Sequence, residues 1–301
     1  MDPNPSVRAA VIAAALACAG AASAQAPASW HPSASITPLY VGSSGIDGGG
    51  DYSMFGAIVR AGVARSMGGP NLAGLTFNYD YLDYSFSSPA AFGGVAPWNV
   101  VRRYGVGAPL MFGVGEGWLL TVIPSVDWFR ENGADEGESL TFGGVLSATR
   151  FFGDGNRLGL GVGVFQRLEK TSYFPLLLID WKLGDRWRLT NPLSAGPTGP
   201  AGLEIDYRLD GGWNVGLGAA WRTTRFRLSE AGPVPNGIGE ERGIPVFLRA
   251  TRSFGTGIAL NLYAGVVTAS QLRVEDPNGN ALREVDADPA PLLGVTFSAR
   301  F

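Results

Sequence analysis

Leu203-Glu204-Ile205-Asp206-Tyr207-Arg208-Leu209-Asp210 decides how this chain is read. Apolar side chains hold every odd position and charges every even one, except the aromatic Tyr207 with its polar tip on the apolar face. A period of two puts the two sets on opposite faces of a β-strand. The same alternation runs through Trp213, Val215, Leu217, Ala219 and Trp221, and through Leu75, Phe77, Tyr79 and Tyr81. Extended along the chain it predicts fourteen strands, near 33–42, 52–64, 71–83, 98–112, 116–129, 139–152, 156–168, 172–183, 186–192, 201–210, 213–228, 242–253, 257–272 and 289–301. Long connections near 84–97, 130–138, 229–241 and 273–288 contrast with tight glycine turns at 113–115, 153–155, 184–185, 211–212 and 255–256. Short turns at one end and long loops at the other are the asymmetry of a transmembrane antiparallel β-barrel, all-β, with both termini periplasmic. The weakest strand is 186–192, because Asn191-Pro192 interrupts it and the run Gly196-Pro197-Thr198-Gly199-Pro200 follows. Proline spoils a central ladder, so twelve strands is the fallback.

The amino terminus predicts export. Residues 1–24 carry Arg8, an apolar stretch from Val11 to Gly20, and Ala22-Ser23-Ala24, which together read as a signal peptide cleaved before Gln25. The mature barrel is then 25–301, one domain. Cys18 is the only cysteine and lies inside the leader, where Ala15-Leu16-Ala17-Cys18 departs from a lipoprotein box by a leucine placed one residue late. A chain without cysteine after cleavage builds neither disulfides nor thiolate metal sites.

Aromatic spacing points to lipid on the apolar face. Trp118 and Trp128 lie ten residues apart on one face, which at ~3.3 Å per residue and ~40° of tilt spans about 25 Å, the height of an apolar band. Trp213 and Trp221 repeat the pattern, and Trp181 with Trp187 brackets a periplasmic turn, so these six tryptophans are candidate girdle residues. The last strand alternates Leu293, Val295, Phe297, Ala299 and the terminal Phe301. It resembles the outer-membrane assembly signal, which implies recognition by the barrel assembly machinery, with outer-membrane lipid and lipopolysaccharide as surroundings. From about Gly115 to Phe301 the chain also resembles a family of outer-membrane β-barrels of unknown function. Arg157-Leu-Gly-Leu-Gly-Val-Gly-Val164, the run from Phe174 to Arg188, and Leu203 to Leu209 carry that likeness. It implies a location and a fold, and no catalytic residues.

Composition removes other classes. At 46% hydrophobic and 16% charged residues the chain is too apolar for disorder, and a formal charge of −3 gives no footprint for nucleic acid. The single histidine, His31, stands before the first strand beside Trp30 and Pro32. Barrel hydrolases built on a histidine base are thus disfavoured, and no enzyme and no cofactor are expected. Asp47 with Asp51, and Asp286 with Asp288, read as solvated loop acids rather than calcium ligands.

The lumen should hold the charges, because charge on the lipid face is costly. The inward candidates are Asp80, Arg103, Asp127, Arg157, Arg167, Asp180, Lys182, Arg188, Glu204, Asp206, Arg208, Arg222, Arg249 and Arg300. Glu204 and Asp206 are expected to pair with Arg188 and Arg222 on neighbouring strands. Gly159, Gly161, Gly163, Gly216, Gly218 and Ala220 are expected to leave room in the lumen. Two readings stay open: a passive channel for small hydrophilic solutes, or a structural or surface-interaction barrel whose lumen the charges fill. A lipid-modifying enzyme is a distant third.

Overall fold

The computed structural model describes residues 30–301; the expected signal peptide and Cys18 lie outside them. β1 (Trp30–Gly45), β2 (Asp51–Ser66) and β3 (Leu72–Ser87) are followed by β4 (Val100–Gly107), β5 (Leu110–Val114) and β6 (Trp118–Glu131). Next come β7 (Leu140–Phe151), β8 (Arg157–Arg167), β9 (Lys170–Lys182), β10 (Trp187–Thr190), β11 (Gly202–Arg208), β12 (Trp213–Ala220) and β13 (Arg222–Arg227). β14 (Ile238–Phe254), β15 (Ile258–Glu275), β16 (Ala281–Ala287) and β17 (Ala290–Arg300) complete the chain. The segment pairs β4/β5, β12/β13 and β16/β17 are each one interrupted strand, so the wall is a closed antiparallel barrel of fourteen strands. Closure is made by β1 against β17, from Ser33 opposite Arg300 to Val41 opposite Leu292. Pro109 stands at the break between β4 and β5, where proline has no N–H to give a ladder.

Apolar residues cover the outside. Leu75, Leu160, Tyr173, Leu217, Leu248 and Leu293 all point outward and are exposed, as an apolar face does when its solvent is lipid rather than a second sheet. Trp118, Trp187, Trp213 and Trp221 are exposed on this surface as well. Trp128 stacks on Tyr104 at 5.4 Å, Trp181 meets Phe152 at 5.3 Å and Trp187 meets Tyr207 at 4.7 Å.

The loops differ from the expected alternation. Parts of the expected long connections 229–241 and 273–288 are strand, because β14 begins at Ile238, β15 runs to Glu275 and β16 occupies Ala281–Ala287. In the turn that remains, Asp276 accepts hydrogen bonds from the Asn280 side chain and from the amides of Asn280 and Asn278, which hold its carboxyl below the ordinary range. β8 and β9 are joined at the extracellular end by only Leu168 and Glu169, both at positive φ. The weak strand survives as four residues, β10, after which 191–201 leaves the wall.

The wall also forks. β13 pairs with β14 on one edge, from Arg222 opposite Gly243 to Arg227 opposite Ile238, while Arg227 pairs in parallel with Arg130 of β6. β6 and β13 belong to opposite walls, so at the extracellular end the barrel closes as a smaller ring that omits β7 to β12. Consecutive residues from Thr224 to Leu228 are all buried, with both faces covered. That burial is incompatible with a strand that has one face in lipid.

Candidate functional site: a lumen in two halves

A polar network lines the lumen from Asp127, next to Trp128 near the extracellular end of β6, down to the periplasmic rim. Asp80 on β3 pairs with Arg60 on β2 and with Arg103 on β4 at 3.5 Å, and Arg103 Nε donates to Asp127 on β6 at 2.9 Å. Across the lumen, Asp180 receives Arg157 at 2.7 Å and Arg188. A third cluster centres on Arg249 of β14, whose Nε donates to Glu204 at 2.6 Å and whose Nη2 donates to Asp206 at 2.7 Å. Its Nη1 reaches Thr251 and, at 3.1 Å, Asn261. A low-dielectric interior makes such pairs stable only when each charge is matched, and here most are.

This arrangement corrects two expectations. Glu204 and Asp206 pair with Arg249 instead of Arg188 and Arg222, because Gly216 and Gly218 stand between β11 and β14 and let the guanidinium reach over β12. Those glycines therefore do not hold the lumen open. A Cβ on Gly216 would collide with the Glu204 carboxylate, one on Gly218 would lie 2.7 Å from the Phe247 ring, and Ala220 is itself buried. Gly159 and Gly161 have the β7 backbone and the Thr149 and Ser147 side chains against them, and Gly163 has the Phe165 ring.

The remaining candidates scatter. Lys182 donates to the Asp154 carbonyl at 2.9 Å and, with Arg208, lines a shallow rim around the turn 184–187. Arg167 lies over the Phe174 ring at 5.6 Å. Arg222 points at the Pro197 carbonyl, and Arg300 ends β17 at the periplasmic rim. His31 sits in β1 opposite Ala64. Asp47 and Asp286 meet through backbone, Asp47 N donating to Asp286 O at 3.0 Å. Among the described residues no three His, Cys, Asp or Glu side chains cluster as metal ligands would.

Between these charges lies a cavity of about 620 Å³, lined by the polar Ser33, Ser35, Arg60, Asn78, Thr251, Asn261, Thr296 and Arg300 and by the apolar Ala34, Ala61, Pro109, Ile123, Leu193 and Ile258. Its ceiling is the connection 191–201, which folds into the lumen. Thr37 Oγ1 donates to Ala195 O at 2.6 Å and lies 2.8 Å from Thr296 Oγ1, while Pro197 packs on Gly294 of the far wall. The prolines that weakened the ninth strand thus build a segment that needs no ladder.

The extracellular half holds an apolar stopper beside a buried ion cluster in which Arg225 meets Glu275 at 2.6 Å and Glu240 at 3.1 Å. Trp98, at 0% exposure, meets Phe226 at 5.2 Å, Phe86 at 5.6 Å and Tyr84 at 5.9 Å. Leu39, Val41, Met54, Leu82, Val101, Leu228, Leu272 and Leu292 pack around them. Tyr84 Oη donates to Glu241 on β14 at 2.6 Å and Tyr52 Oη to the same carboxylate at 3.3 Å, tying opposite walls together. Alternation placed charges inward and so missed this apolar interior. Its signal was the run Thr224-Arg225-Phe226-Arg227-Leu228, which follows Trp221 where a wall strand should already have reached the outer girdle.

No family model and no curated protein matches the chain. Solved structures do. An outer membrane channel from Pseudomonas putida F1 superposes with a TM-score of 0.49 at 14% identity, covering 94% of this chain and 98% of the other. A mutant of TodX, a monoaromatic hydrocarbon channel, gives a TM-score of 0.50 at 7% identity, covering 92% and 91%. The likeness is one of fold, and the fold is that of an outer-membrane β-barrel.

Proposed function

We propose that the protein is a passive channel of the bacterial outer membrane for small solutes, and that the polar chamber is its periplasmic half. The observation that carries this reading is the 620 Å³ cavity, whose lining mixes hydroxyls, amides and three guanidiniums with alanine, isoleucine and proline side chains, and which is bounded at the periplasmic rim by Gly255, Gly257 and Arg300. Such a lining suits the polar groups of small hydrophilic molecules: hydroxyls and amides offer hydrogen bonds, and the charges it presents are arginines, two of which, Arg60 and Arg249, are matched by Asp80, Glu204 and Asp206 behind the lining. The exposed alternate residues Leu293, Val295 and Phe301 fit a docking strand for the assembly machinery. One observation favours a second reading, the structural barrel with a closed lumen: the stopper fills the axial path above the chamber.

Single-channel recording separates the two. Protein refolded in detergent, with a heat-dependent gel shift as proof of folding, is expected to give discrete current steps in planar bilayers. Silence from folded protein, together with liposomes that do not swell in small sugars, overturns the channel reading and leaves the structural one.

A further inference from the structure

We propose that the break in the strand ladder between β9 and β13 is a side opening through which small molecules with an apolar body and a polar group pass between the outer leaflet and the lumen. The inference rests on the channel reading and supplies it with a route around the stopper. β9 pairs with β8 along its whole length, from Lys170 opposite Arg167 to Asp180 opposite Arg157. On its other edge β10 covers only Asp180 to Lys182. Asn191 then ends the ladder by imitating a strand, its Oδ1 accepting from Ile179 N and its Nδ2 donating to Leu177 O. Above it, Lys170 to Pro175 has no second strand among the described residues, and the whole stretch up to Leu178 amounts to roughly 25 Å of edge at ~3.3 Å per residue.

That edge lies at membrane depth. The tip of the β8–β9 hairpin neighbours Thr141, next to Leu140, the partner of Trp128 in the outer girdle. Tyr173 and Leu177 beside the gap are exposed on the outer face, as is Trp221 across it. At membrane depth an open sheet edge persists only where it is buried in protein or borders a water-filled cavity, and the second case is the one proposed for this gap. The sequence accommodates it. Ile179 and Leu177 point their backbone groups at this edge, and by the same parity so does residue 175, a proline with no N–H to leave unpaired. Arg225 secures the top, donating through Nε and Nη2 to the carbonyls of Arg167 and Leu168. Behind the gap the lumen wall is apolar: Phe165 and Phe174, 6.1 Å apart, continue into Leu176 and Leu178. Apolar lining in this outer part and a polar chamber below suit molecules with an apolar body and one polar group.

The test reads lipid access directly. Leu176→Cys, with Phe174→Cys as a second variant should the first not fold, is made in a Cys18→Ser background and reconstituted into vesicles. Pyrenylmaleimide dissolved in the lipid is the probe. Leu177→Cys on the lipid face and Leu272→Cys in the stopper serve as controls. Labelling behind the gap within about tenfold of the Leu177→Cys rate, and far above Leu272→Cys, is expected if lipid-borne molecules enter there. Labelling as slow as in the stopper overturns the side opening. Current steps without labelling would leave an axial channel and remove the opening; labelling without current would keep the opening and remove the ion path.

Discussion

The two halves of this lumen are built from the same strands and obey opposite rules. In the periplasmic half the inward positions of β11 and β14 carry Glu204 and Arg249, and higher up those of β3 and β6 carry Asp80 and Asp127. A few residues further along, the inward positions of β3 and β4 carry Leu82, Tyr84 and Val101. The change coincides with the fork in the wall. Where fourteen strands enclose the lumen, the interior is wide and must be solvated or filled by polar networks. Where β6 meets β13, fewer strands enclose a space narrow enough for side chains to fill, and an apolar interior is the stable filling. Width, set by which strands join the ring, decides the chemistry inside.

The largest expected effect falls on the polar half. Arg249→Leu leaves Glu204 and Asp206 facing each other with no cation, Glu204 at 1% exposure. Removing one partner of a buried ion network costs about 3–5 kcal/mol. Urea unfolding in vesicles, followed by tryptophan fluorescence, should show this loss. Arg249→Leu combined with Glu204→Gln and Asp206→Asn should recover most of it, because the triple variant strands no charge.

The stopper should respond through packing. Trp98→Ala removes the ring that touches Phe226, Phe86 and Tyr84, for an expected loss of about 3–4 kcal/mol. Its second expected effect is larger current steps, since the stopper is then thinner and the axial path wider. Trp98→Phe is the sharper comparison. The indole Nε1 has no hydrogen-bond partner, so phenylalanine keeps most of the contact and removes an orphaned donor, and stability should change by less than ~1.5 kcal/mol. A loss as great as that of alanine would mean that the indole nitrogen is engaged after all.

These two regions also show what the sequence disclosed. Alternation reports the outside faithfully, because lipid imposes one rule on every strand: Leu203, Leu217 and Leu293 are where the period of two puts them. The interior has no uniform solvent. Arg225 and Phe226 are neighbours with opposite chemistry and both are buried, Arg225 by the Glu240 and Glu275 carboxylates and Phe226 by Trp98. Only the fork explains that pair, and it depends on Arg227 meeting Arg130, a contact between residues almost a hundred positions apart. The partner of Glu204 was missed for a related reason. Nearest-strand pairing is legible from register, whereas a reach across β12 depends on Gly216 lacking a side chain.

A smaller effect is expected at the boundary of the halves. Thr37→Val keeps the shape of the side chain and removes its bonds to Ala195 O and Thr296 Oγ1. The loss should be about 1–2 kcal/mol. Proteolysis between 191 and 201 should become faster if the inward segment is held chiefly by this contact. An unchanged cleavage rate would shift the anchoring to Pro197 against Gly294.

The smallest effect belongs to an ion pair of the same chemistry as the Arg249 cluster. Arg186 and Asp210 stand 3.3 Å apart on neighbouring periplasmic turns, with Asp210 at 90% exposure and Arg186 at 49%. Water solvates both charges whether or not they touch, and ordering two long side chains offsets much of the attraction. Arg186→Ala should therefore change stability by no more than about 0.5 kcal/mol. Set beside Arg249→Leu, it isolates burial as the variable, since both substitutions remove a guanidinium from a carboxylate. Equal losses at the two sites would show that water reaches Arg249 freely, and that the polar half of the lumen is a solvated vestibule rather than a network closed on itself.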